Sequence, residues 1–480
     1  MELISMAQDN SEFISDYNKN KQYINNLIHV KDSFDVMEKV LVIGERKASY
    51  YFIDGFCKDE VMEKVMEFLY KITEDEMPEN AEEFIKKHMP YGETTLVGSK
   101  KDFLQMFMSG IPVLLIDGYN MLIATDFREY PARSVDEPEK DKVMRGSRDG
   151  FVETIVFNTA LIRRRIRNPE LVMKIFSVGK SSKTDVVISY ISNRVDEKVL
   201  KQVEKRINAI DVDSLTMNQE SFVECFYPHR WYNPYPKFKF SERPDTTAAC
   251  ILEGNIAILV DNSPSAIIVP SSIFDIVEDA DDYYFPPITG TYLRLSRFII
   301  NIAALLLSPT FLLLINNPNY IPDWLSFILI EDTINIPIIV QLLLLEFAID
   351  GMRLASLNTP NMLSTPLSVV AGIVLGDFTV SSGWFNSEVM LYMAFVAVAN
   401  YTQVNFELGY ALKFMRIITL IATQLFGISG YIAGIILAVV GLIFNKTFSG
   451  KSYLYPLIPF NAKYLLRRFF RVSLPRSEKQ

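Results

Sequence analysis

FIINIAALLLSPTFLLLI, residues 298–315, runs its whole length without a charged side chain. A transmembrane helix needs about 20 largely apolar residues, within a range near 17–25, so this stretch reads as a candidate span. It opens a longer region of the same kind. Between 298 and 445 the only basic residues are Arg353, Lys413 and Arg416, against the acids Asp323, Glu331, Asp332, Glu346, Asp350, Asp377, Glu388 and Glu407. Apolar segments recur there near 298–315, 336–352, 363–380, 389–404, 411–426 and 428–445. The chain upstream is mixed and charged. The split predicts an α/β cytosolic domain of two related subdomains, followed by an all-α polytopic membrane domain of four to six transmembrane helices (residues 291–450).

Loop charges orient the second part. Arg294 and Arg297 precede the first segment, the next loop carries only Asp323, Glu331 and Asp332, and Lys446, Lys451, Lys463, Arg467, Arg468 and Arg471 follow the last. Basic loops favour the cytosolic side, so both termini are expected there. Six crossings satisfy this, and so do four crossings with a re-entrant pair. The first twenty residues lack a basic stretch followed by an apolar one, so no signal peptide is expected.

Composition excludes several classes. The net charge of −9 over 480 residues argues against nucleic acid as a partner. Cys57, Cys225 and Cys250, like His29, His88 and His229, are scattered without metal or redox spacing, so neither metal nor cofactor is expected and a reducing compartment fits. Gly179-Lys180-Ser181 and Gly450-Lys451-Ser452 end like a phosphate-binding loop, but Lys174 and Asn445 stand where its first glycine belongs. No catalytic motif survives inspection, and an enzyme is not expected.

In the upstream part, strand-like runs alternate with helical ones, as in layered α/β structures. VLVIG (40–44), SYYFIDGF (49–56), IPVLLIDGY (111–119), MKIFSV (173–178) and TDVVISYI (184–191) read as strands. YYFIDGFCKDEVMEKV (50–65) echoes VVISYISNRVDEKVLKQV (186–203), and PVLLIDGY (112–119) repeats the strand with its Asp-Gly turn. These predict a polar lead-in (1–35), subdomains at 36–130 and 150–225, a linker at 131–149, a juxtamembrane β-hairpin region at 226–290 and a basic cytosolic tail at 451–480. Asp54-Gly55 and Asp117-Gly118 read first as turns and second as a cleft lining. The basic amphipathic tail KYLLRRFFRV (463–472) suits an interfacial helix on anionic lipid.

Two features of the membrane half go beyond anchoring. Glu346, Asp350 and Arg353 share one helical face. Ionisable groups in a membrane face an interior or a water-filled path, and the rival reading pairs Asp350 with Arg353 at the interface. Ser364, Ser368, Gly372 and Gly376 lie four apart, a small-residue face that packs helices closely or, repeated around a ring of subunits, lines a pore. Packing is favoured from spacing alone. Gly430 and Gly434 form a second such pair, read as helix packing.

RGSRDGFVETIVFNTALIRRRI (145–166), ERPDTTAACILEGNIAILVDNSPSAIIVP (242–270) and YYFPPITGTYLRLSRF (283–298) closely resemble the spore germination GerA family, A-type subunit. The likeness covers roughly 40–465. MPENAEEFIKKHMPY (77–91), LTMNQESF (215–222), SSGWFNSEVMLYMAF (381–395) and YPLIPFN (455–461) look most like its stage V sporulation branch. The resemblance implies a multi-pass protein of the spore inner membrane that acts in germination. A-type subunits work with a permease-like subunit and a lipoprotein as nutrient receptors, and are thought to form ion-conducting rings. The sporulation branch goes instead with the SpoVA channel system. The expected function is therefore a homo-oligomeric ion channel subunit, with Ser364, Ser368, Gly372 and Gly376 lining the pore and Glu346 and Asp350 near its mouth. The alternatives are a nutrient receptor A subunit and a non-conducting scaffold for other germination proteins.

Overall fold

The computed structural model describes residues 12–89, 93–130, 143–227, 232–358, 372 and 379–471. The N-terminal half builds one plan twice. The first module runs α1 (Tyr17–Leu27), β1 (Val36–Ile43), β2 (Arg46–Ile53), α2 (Asp59–Lys71), α3 (Ala81–His88), β3 (Thr94–Val97), α4 (Lys100–Met108), β4 (Val113–Ile116) and β5 (Leu122–Thr125). The second repeats that order as α5 (Ile155–Arg165), β6 (Leu171–Val178), β7 (Thr184–Ile191), α6 (Glu197–Asn208), α7 (Asn218–Phe226), β8 (Lys239–Ser241), α8 (Pro244–Leu252), β9 (Ile256–Val260) and β10 (Ala266–Val269). The sheets are ordered β1-β2-β4-β5-β3 and β6-β7-β9-β10-β8. Every pairing is antiparallel.

Side chains alternate across a strand, and helices cover both faces of the first sheet. Tyr51, Val113 and Leu115 pack with Tyr17, Ile24, Phe103 and Phe107 of α1 and α4. Tyr50, Leu114 and Ile116 pack with Val65, Leu69 and Phe84 of α2 and α3. Strands buried on both faces read as unbroken apolar runs, which is why VLLI of β4 and IAILV of β9 are buried throughout.

The repetition extends to single hydrogen bonds. Asp117, after β4, accepts from the Tyr17 N–H at the start of α1 (3.3 Å), and Asp261, after β9, accepts from the Ile155 N–H at the start of α5 (3.2 Å). The Asn20 side chain is bonded to the backbone of Ile14, as Asn158 is to that of Val152. Asp117-Gly118 is thus a turn and a helix cap, with Gly118 at φ 89°. Gly55 (φ 79°) is a turn as well, and a Cβ there would lie 3.2 Å from Ala160 Cβ.

Two boundaries differ from the sequence expectation. The 1–35 lead-in contains α1, and Phe13, Tyr17 and Ile24 lie in the first core. The rest of α1 is polar because only one narrow stripe meets the sheet. The hairpin expected as a separate region within 226–290 belongs to the second sheet, where β9 pairs with β7. Most of the 131–149 linker lies outside the described residues.

Arg163 of α5 closes the seam between the modules. It is fully buried, donates Nε and Nη2 to the two oxygens of Asp35 at 2.8 Å each, and reaches Ser33 Oγ and the Leu171 carbonyl at 3.0 Å. Arg164 lies over the Tyr130 ring and Arg165 pairs with Asp149. The run 163–165 is engaged within the protein.

The chain divides into two compact units, Met1–His229 with Phe238–Pro270, and Arg230–Lys237 with Ser271–Gln480. The second unit contains α9 (Ile273–Val277), α10 (Asp281–Tyr284), α11 (Pro287–Asn316), α12 (Ile338–Asn358), α13 (Ser387–Tyr401), α14 (Phe406–Phe426), α15 (Ile428–Phe444) and α16 (Ala462–Phe469). Among the described residues, α11 and α14 are long and apolar enough to cross a membrane, and α13 and α15 are shorter apolar helices. Leu312, Leu342, Val389, Met393 and Leu420 form the core of this bundle. Phe347, Phe395, Val398, Leu425, Ile436 and Phe444 face outward and stay exposed. Within this unit Tyr235 is buried against α15, its hydroxyl donating to the Ala438 carbonyl at 3.0 Å, while Lys237 Nζ donates to the Lys446 carbonyl at 2.9 Å.

Candidate functional site

The bundle brings four charges together at one level, three of them buried and Asp350 about one-third exposed. Glu346 and Asp350 are four apart on α12, and Lys413 and Arg416 three apart on α14, so each pair shares a face. α14 is set by Asn405, whose side chain caps the Leu408 N–H at 2.9 Å, with Glu407 in its first turn. Arg416 Nε and Nη2 donate to Glu346 Oε1 and Oε2 at 2.5 and 2.9 Å, and Nη1 donates to the Ala304 carbonyl of α11. Ala304 precedes Leu305, the residue whose carbonyl loses its helical donor to Pro309. Lys413 Nζ is ion-paired to Asp350, lies 3.7 Å from Glu346 Oε2 and donates to the Glu346 carbonyl at 3.1 Å. The two acids and two bases sum to zero, the condition under which such groups are tolerated in a low dielectric. Arg416 is 0% exposed and Glu346 2%.

Arg353 does not pair with Asp350. Its guanidinium lies 4.4 Å from the Phe406 ring centroid and 5.3 Å from that of Tyr410. The rival reading of an Asp350–Arg353 pair is therefore replaced by Asp350–Lys413. Lys413 and Arg416 stand out in the sequence only as bases in an apolar half, and both are buried inside the bundle. The signal was present: two of only three bases in the apolar half, three apart, complement two acids four apart. Linear spacing does not tell which helices meet, so the match stayed hidden.

Gln341, one turn into α12, is tied to the start of α13. Its Nε2 donates to Asn386 Oδ1, and its Oε1 accepts from the Asn386 N–H, both at 2.9 Å. Gly430 and Gly434 are buried against α14. A Cβ on Gly434 would lie 2.6 Å from Thr419 Oγ1, and one on Gly430 would overlap the Ala422 carbonyl. Gly372 is exposed, with nothing within 4 Å of a Cβ placed there. Ser364, Ser368 and Gly376 lie outside the described residues.

A second network precedes α11. Asp282, fully buried, accepts from Arg294 Nε (3.1 Å) and Arg297 Nη1 (3.0 Å), and Glu278 accepts from Arg294 Nη2 (2.7 Å). Arg468 of α16 pairs with Asp275 at 2.5 Å and Glu278 at 2.9 Å. Phe469 packs on Phe274 and Phe298. Part of the basic tail is thus neutralised within the protein, while Tyr464, Leu466 and Phe470 remain exposed. Among the described residues, no group of three or more His, Cys, Asp or Glu side chains could hold a metal.

A family model described as Bacillus/Clostridium GerA spore germination protein matches residues 22–480. Stage V sporulation protein AF of Bacillus subtilis (strain 168) is 36% identical over 458 residues, 95% of this chain and 92% of the relative. Spore germination protein KA of the same organism is 27% identical over 460 residues, 94% of this chain and 84% of the relative. Spore germination protein A1 is 26% identical over 468 residues, 96% of each. Among solved structures, the crystal structure of the N-terminal domain of the A subunit of the Bacillus megaterium spore germinant receptor GerK3 aligns at a TM-score of 0.41 and 24% identity. It covers 54% of this chain and 96% of that one.

Proposed function

This chain belongs to the GerA spore germination family, and on that premise we propose that it is a multi-pass inner-membrane subunit of an oligomeric ion channel that promotes germination. The observation that carries the reading is the bundle itself: an apolar exterior enclosing a neutral cluster of Glu346, Asp350, Lys413 and Arg416. Large exposed apolar surfaces belong to interfaces or membranes. Parallel α12 and α13 favour six crossings. The Gln341–Asn386 bonds hold their starts together. The six apolar segments of the sequence match that number. Both termini then lie on the spore core side.

In this reading Ser364, Ser368, Gly372 and Gly376 line the conducting path, and the charge cluster holds α12 and α14 in fixed register beside it. Glu346 and Asp350 act through that register. Partners are further copies of this chain and other spore membrane germination proteins. The 36% identity to a stage V sporulation protein, against 26–27% to two germination proteins, supports the SpoVA system as partner over a permease-like and a lipoprotein subunit. The reading includes no catalytic step.

Reconstitution of the full chain in liposomes tests it. Ion flux that a bulky Ser368→Phe change reduces at least tenfold is expected, from a species larger than a monomer by light scattering. A monomer without flux in every lipid and ion tried would leave the scaffold role in its place.

A further inference from the structure

Two of the three bases in the apolar half have acid partners, and among the described residues Arg353 has none. Among the described residues its guanidinium makes no hydrogen bond and no ion pair, and lies against the rings of Phe406 and Tyr410. Cation–π packing uses the face of the guanidinium and leaves its N–H edge free for a planar or tetrahedral oxyanion. Arg353 lines a small open cleft together with Asp350, Lys413, Asn400 and Tyr401. Arg353 and Lys413 against Asp350 leave the cleft one positive charge in excess. Asn400 Oδ1 is buried there without a hydrogen-bond partner. A ligand that completes the site carries one negative charge and a hydrogen-bond donor.

The cleft lies where α12 and α13 end and α14 begins, and Tyr401 and Phe406 are exposed at its edge. Aromatics at the ends of apolar helices sit at headgroup depth. We propose that this cleft binds a phosphodiester with a hydroxyl-bearing headgroup, as in phosphatidylglycerol, the phosphate on Arg353 and a headgroup hydroxyl donating to Asn400 Oδ1. The proposal rests on the membrane reading of the bundle and not on conduction.

The test uses the full chain purified in detergent, with thermal unfolding followed against added lipid. Phosphatidylglycerol is expected to stabilise the wild type where phosphatidylcholine does not. Arg353→Gln is expected to raise the half-saturating phosphatidylglycerol concentration about tenfold, the loss of one charge-assisted contact, and Asn400→Leu about threefold. Glycerophosphoglycerol and inorganic phosphate separate the sources: protection by these at similar concentrations keeps the phosphate site but assigns it an aqueous ligand. Equal responses to the two lipids, or an unchanged response in Arg353→Gln, overturn the site. Should Arg353→Gln fail to fold, Asn400→Leu carries the test by the same criterion. Recovery of the chain in the aqueous fraction without detergent sinks the membrane reading instead.

Discussion

The chain buries the same chemical pair twice, in two settings. At the seam of the sheet modules Arg163 meets Asp35 with two hydrogen bonds, and two more go to Ser33 Oγ and the Leu171 carbonyl. In the bundle Arg416 meets Glu346 with two, and a third goes to the Ala304 carbonyl. Both arginines are fully buried. At the seam the remaining donors of Arg163 are taken up by Ser33 and the Leu171 carbonyl. In the bundle the outer surface is Phe, Leu and Ile, so an opened pair meets apolar side chains in that direction. The bundle accordingly adds a second pair, Asp350–Lys413, and keeps the cluster neutral. A buried pair can contribute little net stability, while removal of one partner costs about 3–5 kcal/mol.

That contrast is most sharply tested by Arg416→Leu. It strands Glu346 in the bundle, and the expected outcome is loss of monodisperse full-length chain on size exclusion in detergent. Replacing both partners with leucine is expected to restore most of it. A single variant as well behaved as the wild type would break the comparison. Arg163→Leu comes next, at about 3 kcal/mol by denaturant unfolding, with the bundle still assembled. Gly434→Leu follows at about 1–3 kcal/mol, read as a lower thermal midpoint, because its side chain collides with Thr419.

A smaller effect is confined to the first module. Burial pushes the Glu38 carboxyl up, but hydrogen bonds from Lys21, Ser49 and Asn25 outweigh it and hold the group below the usual carboxylate range. A depressed folded pKa adds stability above the unfolded pKa, and this is lost as pH falls through the folded value. Glu38→Gln is therefore expected to flatten the acid limb of the thermal midpoint between about pH 5 and 3. The second module offers no counterpart: Met173 and Val187 occupy the places of Glu38 and Ser49 on its matching hairpin. The smallest effect is chemical. Burial, with Asp59 and Asp54 nearby, pushes the Cys57 thiol up to about 12. Alkylation at pH 8 is expected to reach Cys57 more slowly than Cys225, where the upward push is weaker in burial.

Much of the fold could be read from the chain alone. Apolar runs such as IAILV and the echo between 50–65 and 186–203 announced strands and a repeat, because strands under helices on both faces have no polar side to interrupt them. The polar helix α1 was missed, since its buried stripe is only Tyr17, Asn20 and Ile24 within a polar surface. The site was legible in part. Glu346 and Asp350 stood out as ionisable groups in an apolar run. Their partners Lys413 and Arg416 are 63 to 70 residues away, and no periodicity links positions on different helices.

The Tyr235 contact has a practical consequence. The chain passes between the two compact units at 229–230, at 237–238 and at 270–271, so no single cut separates them. A truncation ending at Pro270 would keep Arg230–Lys237 and discard the helix that covers Tyr235. Such a fragment would present an aromatic, proline-rich strip to solvent, and its solubility would report on that strip as much as on the modules.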